Sequence, residues 1–418
     1  MNDSITNING WTETTLGEVA VNISRSFDFS IKENVVFVNT GDVLEGKFLH
    51  SKQSSKDGLP GQAKKAIAKG DILFSEIRPI NKRYAIVDFD VENYVVSTKF
   101  MVIKKKDKID LNFLYLFLTY EKTLQEFQII AESRSGTFPQ ITFKAVSEVP
   151  ILLPTLPEQK GIASVISSYN TKIKLLQNQN KTLEEMAQVL FKEWFVDFRF
   201  PGVGEMVDSE LGMIPEGWRV DNIGKYVNLK GGTTPSTKNP DYWYGNIHWT
   251  SPKDLSISKQ SYLLNTQKMI TESGLKKISS GLMPKGTLLF SSRAPIGYIA
   301  LSNVDIAINQ GYIAFLPEAE FSNYFMYNWL KLNMKSIIGA ANGSTFLEIS
   351  KSAFRQLQTP IPDEKTLKSF DELITPVFKK LLNNIVHIQT LSELRDKLLP
   401  KLMSGEVRVS LNVSDYDQ

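Results

Sequence analysis

The chain has 418 residues, enough for two or three domains of roughly 100–200 residues each. Hydrophobic residues make up 42% and charged residues 22%, which excludes a disordered or fibrous chain, and a net charge of only +3 means that any nucleic-acid-binding surface must be local. The absence of cysteine excludes a disulfide framework and thiolate metal sites and fits a reducing compartment. In chain order, the segment GWTETTLGEVA (10–20) leads into short β-like runs, VVFVNT, DILFSEI, RYAIVDF and YVVSTKFMVI, broken by Gly, Pro, Asn and Asp. An apolar helical stretch follows near 111–130, then a loop, a proline-bounded strand in PILLPTLPEQ and a long helical segment. The order then repeats. GWRVDNIGKYV (217–227) precedes the runs TLLFSS, GYIALS and GYIAFL, a helical stretch near 321–338, the strand in TPIPDEK and a second long helix. No apolar run is long enough to span a membrane, and MNDSITNING lacks the pattern of a secretory signal, so a soluble cytoplasmic protein without a membrane partner is expected.

The repetition extends beyond the opening phrase. KGDILFS (69–75) returns as KGTLLFS (285–291), NFLYLFL (112–118) as NYFMYNW (323–329), and GTFPQITFKAV (136–146) as STFLEISKSAF (344–354). Each second occurrence lies about 210 residues after the first, far beyond the 20–50 residues of a solenoid repeat, so whole domains are duplicated. The expected division is a domain over 1–155, a helix over 156–200, a second domain over 201–362, a second helix over 363–405 and a tail over 406–418.

Steps of four and three residues along the first long segment give Ile162, Ile166, Tyr169, Ile173, Leu176, Asn180, Leu183, Ala187, Leu190 and Trp194. The matching positions of the second are Phe370, Ile374, Val377, Leu381, Asn384, Ile388, Leu391, Arg395, Leu398 and Leu402. Five nearly unbroken heptads describe a coiled-coil seam, and a single central asparagine in each is a device that fixes register. If the helices pair antiparallel about a pseudo-twofold, Asn180 faces Asn384. Pro376 is expected to kink the second helix or delay its start, and Pro400 to end it or start a tail.

Enzyme motifs are weak. NPDY (239–242) is similar to the catalytic loop of adenine-N6 methyltransferases, but it lacks the second proline and has no glycine-rich cofactor turn before it, so a turn fits better. GDVLEGKF (41–48) fails as a phosphate loop at Phe48, where a hydroxyl is required. The three histidines are scattered, and no metal site or catalytic residue is assigned. The run KKKDK (104–108) reads as a solvated loop.

A binding role is favoured. Copy one carries Lys52, Lys56, Lys64 and Lys65 around a Ser/Gly-rich loop, then Arg78, Lys82, Arg83 and Arg134. Copy two carries Lys230, Lys238, Lys253 and Arg293, with Thr233, Thr234, Ser236, Tyr242 and Trp243 close by in sequence. Cations in such loops neutralise phosphates, and Arg and small polar side chains read base edges. The plain alternative is that many of these charges merely solubilise the surface. WFVDFRF (194–200) is a candidate partner surface, with core packing as the alternative.

IPEGWRV (214–220), GGTTPSTKNPDYWYGNIHWTSPKDL (231–255), AINQGYIAFLP (307–317) and LLPKLMSGEV (398–407) resemble the specificity subunit of type I restriction–modification enzymes. So do KGDILFSEIRP (69–79), LPTLPEQKGIASVISSYN (153–170) and LFKEWFVDFRFPG (190–202) in copy one. The resemblance spans essentially the whole chain in the right order. It implies an α/β (α+β) fold with two target-recognition domains joined by two long antiparallel coiled-coil helices, pseudo-twofold and circular, the tail returning to the start of copy one. It implies a non-catalytic subunit that reads a bipartite, asymmetric site in double-stranded DNA. Its partners would be two modification subunits, which methylate adenine N6, and in some systems two restriction subunits that translocate and cut DNA. S-adenosylmethionine, ATP and magnesium would be bound by those partners and no cofactor by this chain. The glycine- and threonine-rich stretch of copy two has no counterpart in copy one, as unlike half-sites require. Alternatives are a subunit of a methyltransferase-only or fused-nuclease system, a free-standing methyltransferase built on NPDY, and a coiled-coil adaptor.

Overall fold

A computed structural model describes residues 7–8, 10–134, 137–343 and 347–409, without the side chains of Asn7, Ile8 and Arg134. The chain forms two compact units, one reaching to Thr171 and resuming at Glu393, the other Lys172–Ser392. Each long helix, Leu156–Phe195 and Glu364–Ser404, contributes to both units.

In the first unit, Ile72–Ser75 and Phe100–Lys105 pair antiparallel at the centre of a sheet flanked by Tyr84–Ile86 and Ala20–Asn22. The side chains of these central strands alternate between two cores. Ile72, Phe74, Met101 and Ile103 pack with Phe113, Phe127, Ile162 and Ile166, whereas Leu73, Phe100 and Val102 pack with Val36, Val38 and Val96. Burial on both faces explains why DILF and FMVI are continuous apolar runs without polar alternation. The second core is covered by a second four-stranded sheet in which Asn34–Val38 runs parallel to Tyr94–Ser97, with Ala63–Ala66 and Ser54–Ser55 at its edges.

The second unit repeats this plan. Leu288–Ser291 and Tyr312–Phe315 are the central pair, between Ile299–Ser302 and Leu229–Lys230. Leu288, Phe290, Ile313 and Phe315 face the core shared with the long helices, and Leu289, Tyr312 and Ala314 face a three-stranded sheet. There Trp243–Thr250 runs parallel to Ile306–Ile308 and antiparallel to Lys268–Ile270. Each expected apolar helical stretch consists of two successive helices, Leu111–Thr119 with Glu121–Arg134 and Asn323–Leu332 with Met334–Gly339.

The recurrent opening phrase has one structural job in both copies. Its strand, Trp11–Thr15 or Arg219–Asn222, pairs antiparallel with the proline-bounded strand, Pro150–Leu153 or Gln358–Ile361. Its tryptophan ties that ribbon to the start of a long helix. Trp11 Nε1 donates to Glu158 Oε2 at 3.0 Å, and Trp218 Nε1 donates to Asp363 Oδ2 at 3.2 Å. A carboxylate at a helix N-terminus is also favoured by the helix dipole. Gly17 and Gly224 pack so closely against Ser147 and Arg355 that a Cβ would collide with them.

The long helices run antiparallel within each unit. In the first, Ile162 and Ile166 share a core with Leu398 and Leu402, and Arg395 reaches Asn170 Oδ1 at 2.9 Å. In the second, Ile173 and Leu176 meet Ile388 and Leu391, while Phe191 and Trp194 lie against Phe370 with ring centroids 5.8 and 6.0 Å apart. The seam asparagines face each other. Asn384 is wholly buried, and its Nδ2 donates to Asn180 Oδ1 and to Gln179 Oε1, each at 2.9 Å.

Pro376 does not delay the second helix, and Pro400 does not end it. The second helix starts twelve residues before Pro376 and continues four residues past Pro400. Buried or partly buried side chains on both sides, Phe370, Ile374, Phe378 and Leu381 around Pro376 and Leu398, Leu399, Leu402 and Met403 around Pro400, hold the helix together by packing. Helices in proteins draw most of their stability from such packing rather than from propensity. The buried stripe of this helix is also wider than a two-helix seam. Phe378 and Ile385 lie off the seam and pack on the domain, Phe378 stacking on Tyr324 with centroids 4.6 Å apart.

Residues 406–409 of the tail return to the start of copy one. The Arg408 guanidinium lies 5.6 Å from the Trp11 ring centroid and donates to both oxygens of Glu158, at 2.5 and 2.8 Å. The rest of the tail, 410–418, lies outside the described residues.

Candidate nucleic-acid interface

The clearest concave feature near the candidate residues is in the second unit. Trp243–Thr250 carries an irregularity, since Trp243 and Ile247 both pair with Ile270 and the intervening Tyr244, Gly245 and Asn246 bulge from the ladder. Gly245 lies flat against the backbone of Ile270 and Thr271, where no Cβ fits. Tyr244 adopts a left-handed conformation, φ +63°, and is 93% exposed. A cleft of about 580 Å³ opens beside it, lined by Thr237, Lys238, Trp243, Gln267 and Lys268 among others, with two lysines and no carboxylate in the lining. Lys268 Nζ sits 5.1 Å from the Trp243 ring centroid and 5.9 Å from that of Trp249, so the cation is held over aromatic faces.

The candidates of copy two divide around this cleft. Lys238 lines it and is exposed. Trp243 forms its base. The side chain is buried, and Nε1 donates to the Ser236 carbonyl at 3.1 Å, so Trp243 is scaffold rather than an exposed reading group. Tyr242 carries Lys277 Nζ 5.9 Å over its ring. Thr234 is exposed, its hydroxyl donating to Gln310 Oε1 at 2.7 Å, and Thr233 donates to the Lys277 carbonyl at 3.4 Å. Lys230 and Lys253 are exposed elsewhere, Lys253 on a short helix with a capping box of Ser251 and Asp254. Arg293 is half-buried and pairs with Glu348 at 3.3 Å. NPDY is a turn, in which Asn239 Oδ1 accepts the Asp241 N–H at 3.0 Å and Pro240–Tyr242 form one 3-10 turn.

In copy one the structure distributes its candidates differently. Lys52 and Lys64 are exposed. Lys56 pairs with Glu33 at 2.8 Å, and Lys65 donates to the Phe100 carbonyl at 2.6 Å, its burial lowering the ammonium pKa. Lys82 lies between Glu45 and Glu121, at 3.5 and 3.6 Å. Arg83 donates to the carbonyls of Gly41 and Val43 and so braces a hairpin. That hairpin is GDVLEGKF, where Val43–Leu44 pairs with Lys47–Phe48 around Glu45 and Gly46. Arg78 is exposed at φ +43° on the loop after Ile72–Ser75. The corresponding loop of copy two carries Arg293, and the bridges Ile77 to Gln140 and Arg293 to Glu348 occupy matching places. The side chain of Arg134 lies outside the described residues.

WFVDFRF resolves mostly into packing. Trp194 and Phe195 are buried, and Phe200 stacks on Trp218 at 5.4 Å, leaving Val196 and Arg199 as its exposed members. Sequence reasoning missed Tyr244, Gln267, Lys268 and Lys277. The available signal was Gly245 inside an aromatic strand pattern, which marks a bulge.

The family model for the type I restriction modification DNA specificity domain matches twice, over residues 8–185 and 215–395. The chain belongs to this family. It is 35% identical to the HindI type I restriction enzyme specificity subunit of Haemophilus influenzae, covering 95% of this chain and 99% of the relative. It is 29% identical to the MjaIX specificity subunit of Methanocaldococcus jannaschii, over 82% of this chain and 78% of the relative. Its fold is similar to the crystal structure of a type I restriction–modification S subunit from M. genitalium, with a TM-score of 0.59 at 14% identity over 96% and 97% of the two chains. The duplicated recognition domain and the long helices that follow each copy are therefore family features. Among the described residues no helix is long and apolar enough to cross a membrane, and no group of three His, Asp or Glu is placed to hold a metal ion.

Proposed function

We propose that this chain is the non-catalytic, cytoplasmic DNA-recognition subunit of a type I restriction–modification complex, reading one half of a split, asymmetric double-stranded site with each copy. The observation that carries this reading is the double match to the specificity-domain family, once per copy. The cleft beside Tyr244, with two lysines and no carboxylate, supports DNA as the ligand. The two copies share a central strand pair and a ribbon but differ in the segments that carry their cations, which suits unlike half-sites. Duplication offers one docking surface twice, so two modification subunits are the expected partners. They would bring S-adenosylmethionine and flip the target adenine, while this chain fixes the site in place. Restriction subunits, where present, would bring ATP and magnesium.

The test is selection from a random duplex pool by the chain co-purified with its modification subunit. Enrichment of a two-part sequence, with affinity falling steeply as salt rises, supports the reading. Methyl transfer by the chain alone, lost on changing Asp241 or Tyr242, would establish the free-standing enzyme instead. A chain with no salt-dependent DNA affinity is an adaptor.

A further inference from the structure

We infer that Tyr244 is a wedge that enters the base stack of the half-site read by copy two; this rests on the DNA-recognition reading above. An aromatic residue in the left-handed region is uncommon and strained, and such outliers concentrate where function requires them. Here the conformation is built in. Ile270 takes two partners from one strand, and Gly245 is pressed onto the opposing backbone, so Tyr244 must turn outward. The result is a large ring, 93% exposed, standing at the edge of a cationic cleft.

Its neighbours suit a nucleic acid. Lys238 and Lys268 border the ring, and Lys268 is held in place by Trp243 and Trp249. Phosphates gripped by these lysines would bring a base step against the ring, and the Gln267 amide lies within reach of a base edge. Insertion of an apolar or aromatic side chain unstacks a step and costs least at flexible pyrimidine–purine steps. Tyr244 would thus add specificity through DNA deformability as well as through direct contacts. Among the described residues of copy one, the matching strand Asn34–Val38 carries no WYG segment, so the unstacking is confined to one half-site.

The experiment uses the native complex and the target enriched from the random pool, with thymines probed by permanganate, which oxidises unstacked thymine. The native complex is expected to expose one step in the copy-two half-site. Tyr244→Phe retains that reactivity. Tyr244→Ala loses it and binds the target about 10- to 100-fold more weakly, the size of one base–aromatic stack, with unchanged affinity for unrelated DNA. Lys268→Met weakens binding to all sequences and leaves the permanganate pattern in place. If Tyr244→Ala binds the target within twofold of the native complex and gives the same pattern, the wedge is wrong and the recognition reading stands. If the native complex enriches no sequence from the pool, the recognition reading falls and the wedge falls with it.

Discussion

Trp11 shows how a single side chain ties together three distant parts of the chain. Its ring is 2% exposed, its indole N–H reaches Glu158, and Arg408 closes over it. A hydrogen bond to a charged group is worth about 1.5–3 kcal/mol, so Trp11→Phe should lower unfolding stability by at least that amount, measured by denaturant titration of the native chain. The bidentate bond from Arg408, helped by the indole of Trp11, outweighs burial and holds the Glu158 carboxyl below its usual range. The folded state therefore binds this proton less readily than the unfolded one. The stabilisation is fully present above the unfolded value of about 4.3 and is lost as pH falls through the lower folded value. Glu158→Gln should flatten the stability profile below about pH 5 relative to the native chain. The tryptophan of this site was legible because it recurs in the second copy. Its partners were not, because Glu158 lies 147 residues away and Arg408 a further 250.

At the scale of elements, periodicity located the long helices well, because every chosen seam position is buried or partly buried. It failed where a second packing surface intervened. Phe378 and Ile385 belong to the domain core, and that packing carries the helix through Pro376. The facing asparagines allow a direct test of what a polar seam position does. Asn384 Oδ1 is buried without a hydrogen-bond partner, so the site is under-satisfied. Replacing both residues by leucine should leave stability unchanged or raise it by about 1–2 kcal/mol, as for other buried polar pairs exchanged for apolar ones. A loss greater than about 2 kcal/mol in thermal or denaturant unfolding would show that the pair stabilises the seam rather than only specifying its register. The strands were harder to read. Runs buried on both faces identify a strand but not its neighbours, and the bulge at Tyr244, marked in sequence by Gly245 alone, is defined by pairing with Ile270.

At the scale of the whole molecule, the duplication was the most legible feature, since fragments that recur in constant order at near-constant spacing mark the copying of an entire domain. The DNA-facing residues were the least legible. Lysines look alike in sequence, yet the structure puts Lys64 and Lys65 on the strand Ala63–Ala66 rather than in a loop, commits Lys56 and Lys82 to ion pairs and Lys65 to a backbone carbonyl, and leaves Lys238 at a cleft. What separates these roles is the tertiary position of a partner such as Glu33 or Phe100, which no local pattern encodes.

We propose that each copy reads its own half of one site. This is tested most directly by co-expressing the chain with its modification subunit, mapping adenine methylation across a genome, and repeating the map after exchanging residues 214–360 for those of a relative with another target. The expected result is a split motif of two unlike halves with a fixed gap, and an exchange that rewrites one half and leaves the other half intact. A single contiguous motif, or an exchange that alters both halves together, would contradict it.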